Sequence, residues 1–178
     1  MNQYTKLARQ AVENYIKDKR IINIKEAKIP TSFLKKKSGV FVSIYNKEKK
    51  QKPILRGCIG TFLPTQDNIA LEIIKNAIAA ATQDYRFPSI QKNELPQLVY
   101  SVDILSAPEL VSNFNELNPK KYGIIIKSSD GRTGLLLPDL DGVDTIEKQI
   151  GIAAAKAGIN PIEEKVEIYR FTVERYKE

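Results

Sequence analysis

Apolar and polar positions repeat with two different periods along this chain, and each change of period marks an element. Leu7, Ala8, Ala11, Val12, Tyr15 and Ile16 recur at helical spacing, so residues 4–18 read as an amphipathic helix. Residues 69–82 repeat the pattern, with Leu71, Ile74, Ala77, Ile78 and Ala81 inward and Asp67 or Asn68 placed to cap the helix. A third helix over 145–156 stops at Ala157-Gly158, a C-terminal glycine signal. Residues 98–105 alternate instead. Leu98, Tyr100, Val102 and Ile104 face one way, and Val99, Ser101, Asp103 and Leu105 the other, as in a strand. Residues 40–45 are a short apolar strand, and 124–127 and 133–137 flank Ser128-Ser-Asp-Gly131 as a hairpin. Residues 165–176 alternate again and close the chain as one strand, while 108–119 read as a connection with a helical turn.

These elements predict an α+β fold, mostly antiparallel sheet with helices packed on it, in a single domain over 1–178 with two unequal lobes. The expected core is Leu7, Val12, Val42, Ile44, Ile74, Ile78, Val102, Ile104, Ile125, Leu136, Ile152, Ile168 and Phe171. The chain also echoes itself. A shift of 74 residues lays Gly57 on Gly131, Gly60 on Gly134, Leu63-Pro64 on Leu137-Pro138 and Ile78-Ala-Ala-Ala81 on Ile152-Ala-Ala-Ala155. Residues 39–81 and 121–155 are therefore expected to form the same strand–strand–helix unit twice.

The stretch 53–62, Pro-Ile-Leu-Arg-Gly-Cys-Ile-Gly-Thr-Phe, breaks the strand pattern with two glycines around the only cysteine. Glycine inside a strand marks a bulge or a close approach by another backbone or a ligand. Arg56 and Cys58, two residues apart, are expected on one strand face. Two readings follow: a Gly-rich edge strand with a packed thiol, or a site in which Cys58 is the nucleophile. In the second, Arg56, Arg86 and Arg132 hold an anion while the Gly57 and Gly60 backbone forms the floor. Arg56, Arg86 or Arg132 would supply the cation that turns the thiol into thiolate, and Asp84, Asp139 or Asp141 the general base.

The chain has no histidine, which removes Ser-His-Asp and Cys-His catalysis and His-based metal sites. With one cysteine, no iron–sulfur cluster or zinc ribbon can be built within the chain, and no metal or cofactor is expected. The glycine spacing matches neither a phosphate-binding loop nor a dinucleotide fingerprint. No apolar run approaches the ~20 residues of a membrane span, and residues 1–10 lack the apolar stretch of a signal peptide. A cytoplasmic, membrane-free protein is the expectation. The net charge of +7 is uneven: residues 1–60 carry 15 Lys or Arg against 4 Asp or Glu, and the rest 13 against 17. The excess in Lys35–Lys37 and in Lys47, Lys49, Lys50 and Lys52 invites a nucleic-acid reading. No aromatics interleave with these lysines as single-strand binding requires, so solvated loops are the simpler account.

Leu55-Arg-Gly-Cys-Ile-Gly60 resembles the hallmark of the AMMECR family, whose bacterial and archaeal members are called AmmeMemoRadiSam system protein A. Phe41-Val-Ser-Ile, Asp84-Tyr-Arg-Phe-Pro88, Ser101-Val-Asp-Ile-Leu-Ser106, Tyr122-Gly-Ile-Ile-Ile126, Arg132-Thr-Gly-Leu-Leu-Leu-Pro138 and Lys156-Ala-Gly158 agree. Tyr85 departs where many relatives have proline, and Ala154 stands near a frequent cysteine. The expectation is a single AMMECR-type domain over 1–178 with the Leu55–Gly60 motif at a cleft. The resemblance also implies, by association, Memo-type and radical SAM pathway partners in a shared redox or modification pathway. It does not choose between a thiol-dependent enzyme on a small anionic substrate and a non-catalytic ligand- or protein-binding module using the same cleft.

Overall fold

A computed structural model describes residues 2–47 and 52–178. Lys49 and Lys50 of the expected lysine loop lie outside the described residues. The chain forms two compact units, residues 1–105 with 174–178, and residues 106–173.

The first unit is built on an antiparallel sheet in the order β2-β1-β3-β8, with β1 Val40–Asn46, β2 Ile54–Thr61, β3 Leu98–Leu105 and β8 Val173–Lys177. Helices α1 (Gln3–Asp18) and α3 (Ile69–Thr82) pack together and onto one sheet face. Their apolar stripes explain this: Leu7, Ala8, Ala11 and Val12 of α1 and Ile73, Ile74, Ala77 and Ala81 of α3 are buried with Val40, Val42, Ile44, Tyr100 and Val102 of the sheet. Asn2 caps α1 and Asn68 caps α3, each accepting a backbone N–H. A short helix, α2 (Ser32–Lys35), follows Pro30. Its Phe33 is buried and stacks on Tyr4.

The second unit holds the sheet β4-β7-β5-β6, with β4 Glu109–Leu110, β5 Gly123–Ser128, β6 Thr133–Leu136 and β7 Val166–Phe171. Helix α4 (Ile146–Lys156) packs on β5 and β6, burying Ile124, Ile126, Leu136, Ala153, Ala154 and Ile168. Thr145 caps the helix and Gly158 follows it at φ 63, as the glycine signal requires.

Two expectations change here. The closing alternation at 165–176 is two strands, broken at Thr172, with β7 in one sheet and β8 in the other. Alternation cannot reveal such a change of sheet, because both strands keep the period of two. Ile152 is half-buried rather than buried, although it packs against the second core. The other expected core residues are buried. Both expected strand–strand–helix units are present, β1–β2–α3 and β5–β6–α4. Their equivalence does not follow the letter-for-letter shift. Gly131 lies in the hairpin turn at φ 92, not in a strand like Gly57. The counterpart of Gly57 is Gly134, as their helix contacts show: a Cβ at Gly57 would run into the Ala80 carbonyl of α3, and one at Gly134 into the Ala153 carbonyl of α4.

Candidate functional site

The candidate site grows from the edge position of β2. Ser43 of β1 stands opposite Cys58 on one side and Ser101 of β3 on the other. Phe41 stands likewise between Gly60 and Asp103. Opposed residues of an antiparallel pair share a face, so Cys58, Ser43 and Ser101 form a row across three strands. Asp103 stands in the next row. The alternate positions Val42, Ile44, Tyr100 and Val102 face α1 and α3, which puts this polar row on the opposite sheet face. Ser43 Oγ lies 3.2 Å from Cys58 Sγ. Arg175 of β8 grips the buried Asp103 with two parallel bonds, at 2.8 and 3.0 Å.

The outer edge of β2 would leave the Cys58 backbone unpaired. The turn after α3 closes it with side chains. Cys58 N–H donates to Asp84 Oδ2 at 2.8 Å, and the Arg86 guanidinium reaches the Cys58 carbonyl at 3.4 Å. Arg86 also binds Asp84 through Nε at 2.9 Å and Nη2 at 2.7 Å. These bonds hold the Asp84 carboxyl well below its ordinary value, at about 2, with the Arg86 side chain the largest cause. Tyr85, between them, is 95% exposed.

Arg56 is the extra residue of a β-bulge, because Ile44 pairs with Gly57 while Tyr45 pairs with Leu55. The bulge interrupts the two-residue alternation behind the same-face expectation for Arg56 and Cys58. Arg56 binds Glu94 through Nε at 2.7 Å and Nη2 at 3.1 Å, and the Pro88 carbonyl at 2.8 Å. It thereby ties the segment after α3 to β2. Glu94 completes the grip by accepting Gln91 N–H at 2.8 Å. Arg132 belongs to the second unit, where it pairs with Asp130 and Glu164. The expected arginines thus each hold a carboxylate partner. The glycines are likewise occupied: the Ala80 carbonyl fills the space at Gly57, and the Phe41 ring that at Gly60.

Burial pushes the Cys58 thiol above its ordinary value. The Ser43 hydroxyl and the Arg86 guanidinium pull the other way, and the carboxylates of Asp103 and Asp84 add to the effect of burial. Arg86 is a weak activator because its charge is matched by Asp84 at 2.7 Å. The protonated thiol dominates at neutral pH in such a setting. Ser101 and Asp103 are buried, so the face offers the half-buried Ser43 hydroxyl and Cys58 thiol beside the Asp84–Arg86 pair for polar contacts. Among the described residues, no group of three or more Cys, Asp or Glu is placed to hold a metal ion, and no helix is long and apolar enough to cross a membrane.

Ser43, Ser101 and Arg175 did not stand out as site residues in the sequence. A signal was present: Ser43, Ser101 and Asp103 are polar residues on alternate positions of otherwise apolar strands. Placing them beside Cys58 takes the β2-β1-β3 strand order, which the sequence does not contain.

The AMMECR1 family model matches residues 5–176. A protein of Thermotoga maritima is 52% identical over 174 residues, covering 98% of this chain and 97% of the relative. A Clostridium acetobutylicum protein is 43% identical over 175 residues, covering 98% of this chain but only 36% of that longer protein. The crystal structure of the uncharacterized protein PH0010 from Pyrococcus horikoshii superposes with a TM-score of 0.86 at 32% identity, over 98% of this chain and 89% of that one.

Proposed function

The chain belongs to the AMMECR1 family, and from that premise we propose that it is a non-catalytic binding module whose working surface is the polar sheet face around Cys58. The observation that carries this reading is the state of the thiol. Burial raises it, and its nearest cation is already bound to Asp84, so it lacks the activated character a nucleophile needs. The partner we favour is a second protein. In the Clostridium relative the matched region is joined to a longer polypeptide, which supports a domain that works beside another. The resemblance to AmmeMemoRadiSam proteins points to Memo-type and radical SAM partners in a shared modification pathway.

Thiol titration with an aromatic disulfide tests the reading. Cys58 of the folded protein should react far more slowly than that of the unfolded chain, with an apparent pKa above the ~8.5 of a free thiol. Light scattering of the protein mixed with purified Memo-type and radical SAM proteins should reveal a complex. A thiol that reacts fast at pH 7, with no complex formed, sinks the proposal. That outcome would support the second reading, a thiol-dependent enzyme acting on a small anionic substrate. The Ser43 hydroxyl 3.2 Å from Sγ and the Coulombic pull of Arg86 favour that alternative.

A further inference from the structure

The second unit has a concave site of its own. The turn after β5 and the start of β7 border an open cavity of about 290 Å³ lined by Lys127, Ser128, Ser129, Lys165, Val166 and Glu167. Lys127, Ser129 and Lys165 are exposed. The carboxylates of the neighbouring turns are committed elsewhere. Asp130 holds Arg132 and the Ser128 hydroxyl, and Glu164 holds Arg132 and the Asn160 N–H. Glu167 stands opposite Lys127 on the β5–β7 ladder, and its Oε2 accepts the Tyr169 hydroxyl at 2.9 Å. Among the described residues, neither Lys127 nor Lys165 forms an ion pair. The lining therefore carries two ammonium groups against one carboxylate.

We infer that this cavity binds a phosphate group, either inorganic phosphate or the phosphate end of a small monoester. A planar carboxylate is recognised best by the guanidinium fork, and the nearby Arg132 already has its partners. Lys127 near the end of β5 and Lys165 just before β7 bring point charges from two separate segments, which suits a tetrahedral oxyanion carrying more than one charge. The Ser129 hydroxyl adds a donor at the same mouth. The volume falls just below the range for ligand pockets, roughly 300–1,000 Å³, which suits a ligand of phosphate size. Glu167 disfavours a ligand with further acidic groups. The inference concerns residues of the second unit only and stands or falls separately from the reading of the Cys58 face.

Isothermal titration at low ionic strength with inorganic phosphate, glycerol phosphate and acetate tests it. Saturable binding of at least one phosphate compound, with Kd about 1 mM or tighter, is expected. Lys127→Gln and Lys165→Gln should each weaken it roughly tenfold, while Lys52→Gln leaves it unchanged. Tighter binding of glycerol phosphate would assign a monoester, and tighter binding of phosphate would assign the free ion. Both lysines are exposed, so the variants should keep the circular dichroism of the parent. Absence of saturable binding to both phosphate compounds, equal binding of acetate, or undiminished binding in K127Q/K165Q would each overturn the inference.

Discussion

The two strand–strand–helix units use one packing device and finish their edges differently. In each, a glycine on the outer strand lets a helix carbonyl approach the sheet, Ala80 at Gly57 and Ala153 at Gly134. Both outer strands, β2 and β6, are edges of their sheets. An exposed edge invites pairing with another chain, and proteins blunt it by shortness, bulges, charges or cover. The β6 edge is four residues long and meets little more than Lys156 on the Leu135 carbonyl at 3.3 Å. The β2 edge is eight residues long and carries a bulge at Arg56, the Asp84–Arg86 turn on Cys58, and the Arg56–Glu94 pair. Residues that look like chemistry around Cys58 thus also do what a long edge strand demands.

The largest effect should come from filling the glycine positions. Gly57→Ala and Gly134→Ala each put a methyl against a backbone carbonyl, which cannot swing aside like a side chain. Each should cost about 3 kcal/mol, at the upper end for overpacking, read as a lowered urea midpoint. If Gly57→Ala is neutral, the packing device is not shared and the two units are alike only in element order.

Next comes the edge closure. Asp84→Asn keeps an acceptor for Cys58 N–H but removes the charge that holds Arg86, and should cost about 2 kcal/mol at pH 7. Asp84 in the fold titrates at about 2, below its ordinary value. Its contribution is therefore complete above the ordinary carboxylate value near ~4, and is lost as pH falls through about 2. Stability curves of parent and variant should converge across that window. Curves that stay parallel would show that the ion pair contributes nothing to folding.

Much of the fold is legible in the sequence, and the reasons differ by element. The helix over 69–82 and the strand over 98–105 agree with the structure to the residue, because their periods are uninterrupted and the helix starts at its Asn68 cap. The split of 165–176 was not legible, because a strand that changes sheets keeps its alternation. The glycines of Leu55–Gly60 were legible as close-approach positions, but sequence could not say whether backbone or ligand approaches. Lining up Cys58, Ser43 and Ser101 requires strand order and register, which single-strand patterns do not encode. The bulge at Arg56 escaped for a related reason: it is a property of the β1–β2 pair, not of either strand.

A smaller effect is expected at Arg56. Its pair with Glu94 uses Nε and Nη2 on two carboxylate oxygens, with side chains 15% and 22% exposed. Arg56→Lys keeps the charge and loses the fork, so about 1 kcal/mol should be lost. Native-state hydrogen exchange should then rise along β2 before it rises along β6. Equal loosening of both strands would show that Arg56 supports the core rather than the edge.

The smallest predicted effect has the opposite sign. Gly151 lies inside α4, is exposed, and has open space where a Cβ would sit. Glycine costs a helix interior roughly 0.5–1 kcal/mol relative to alanine, through the entropy it loses on folding. Gly151→Ala should therefore raise stability by about 0.7 kcal/mol, read as a higher urea midpoint with an unchanged slope. Together with Gly134→Ala this separates two roles of glycine within one unit: Gly134 is required because a helix carbonyl occupies the place of its side chain, and Gly151 is not. A loss of stability in Gly151→Ala would show that the outer face of α4 is constrained by something other than its own sheet.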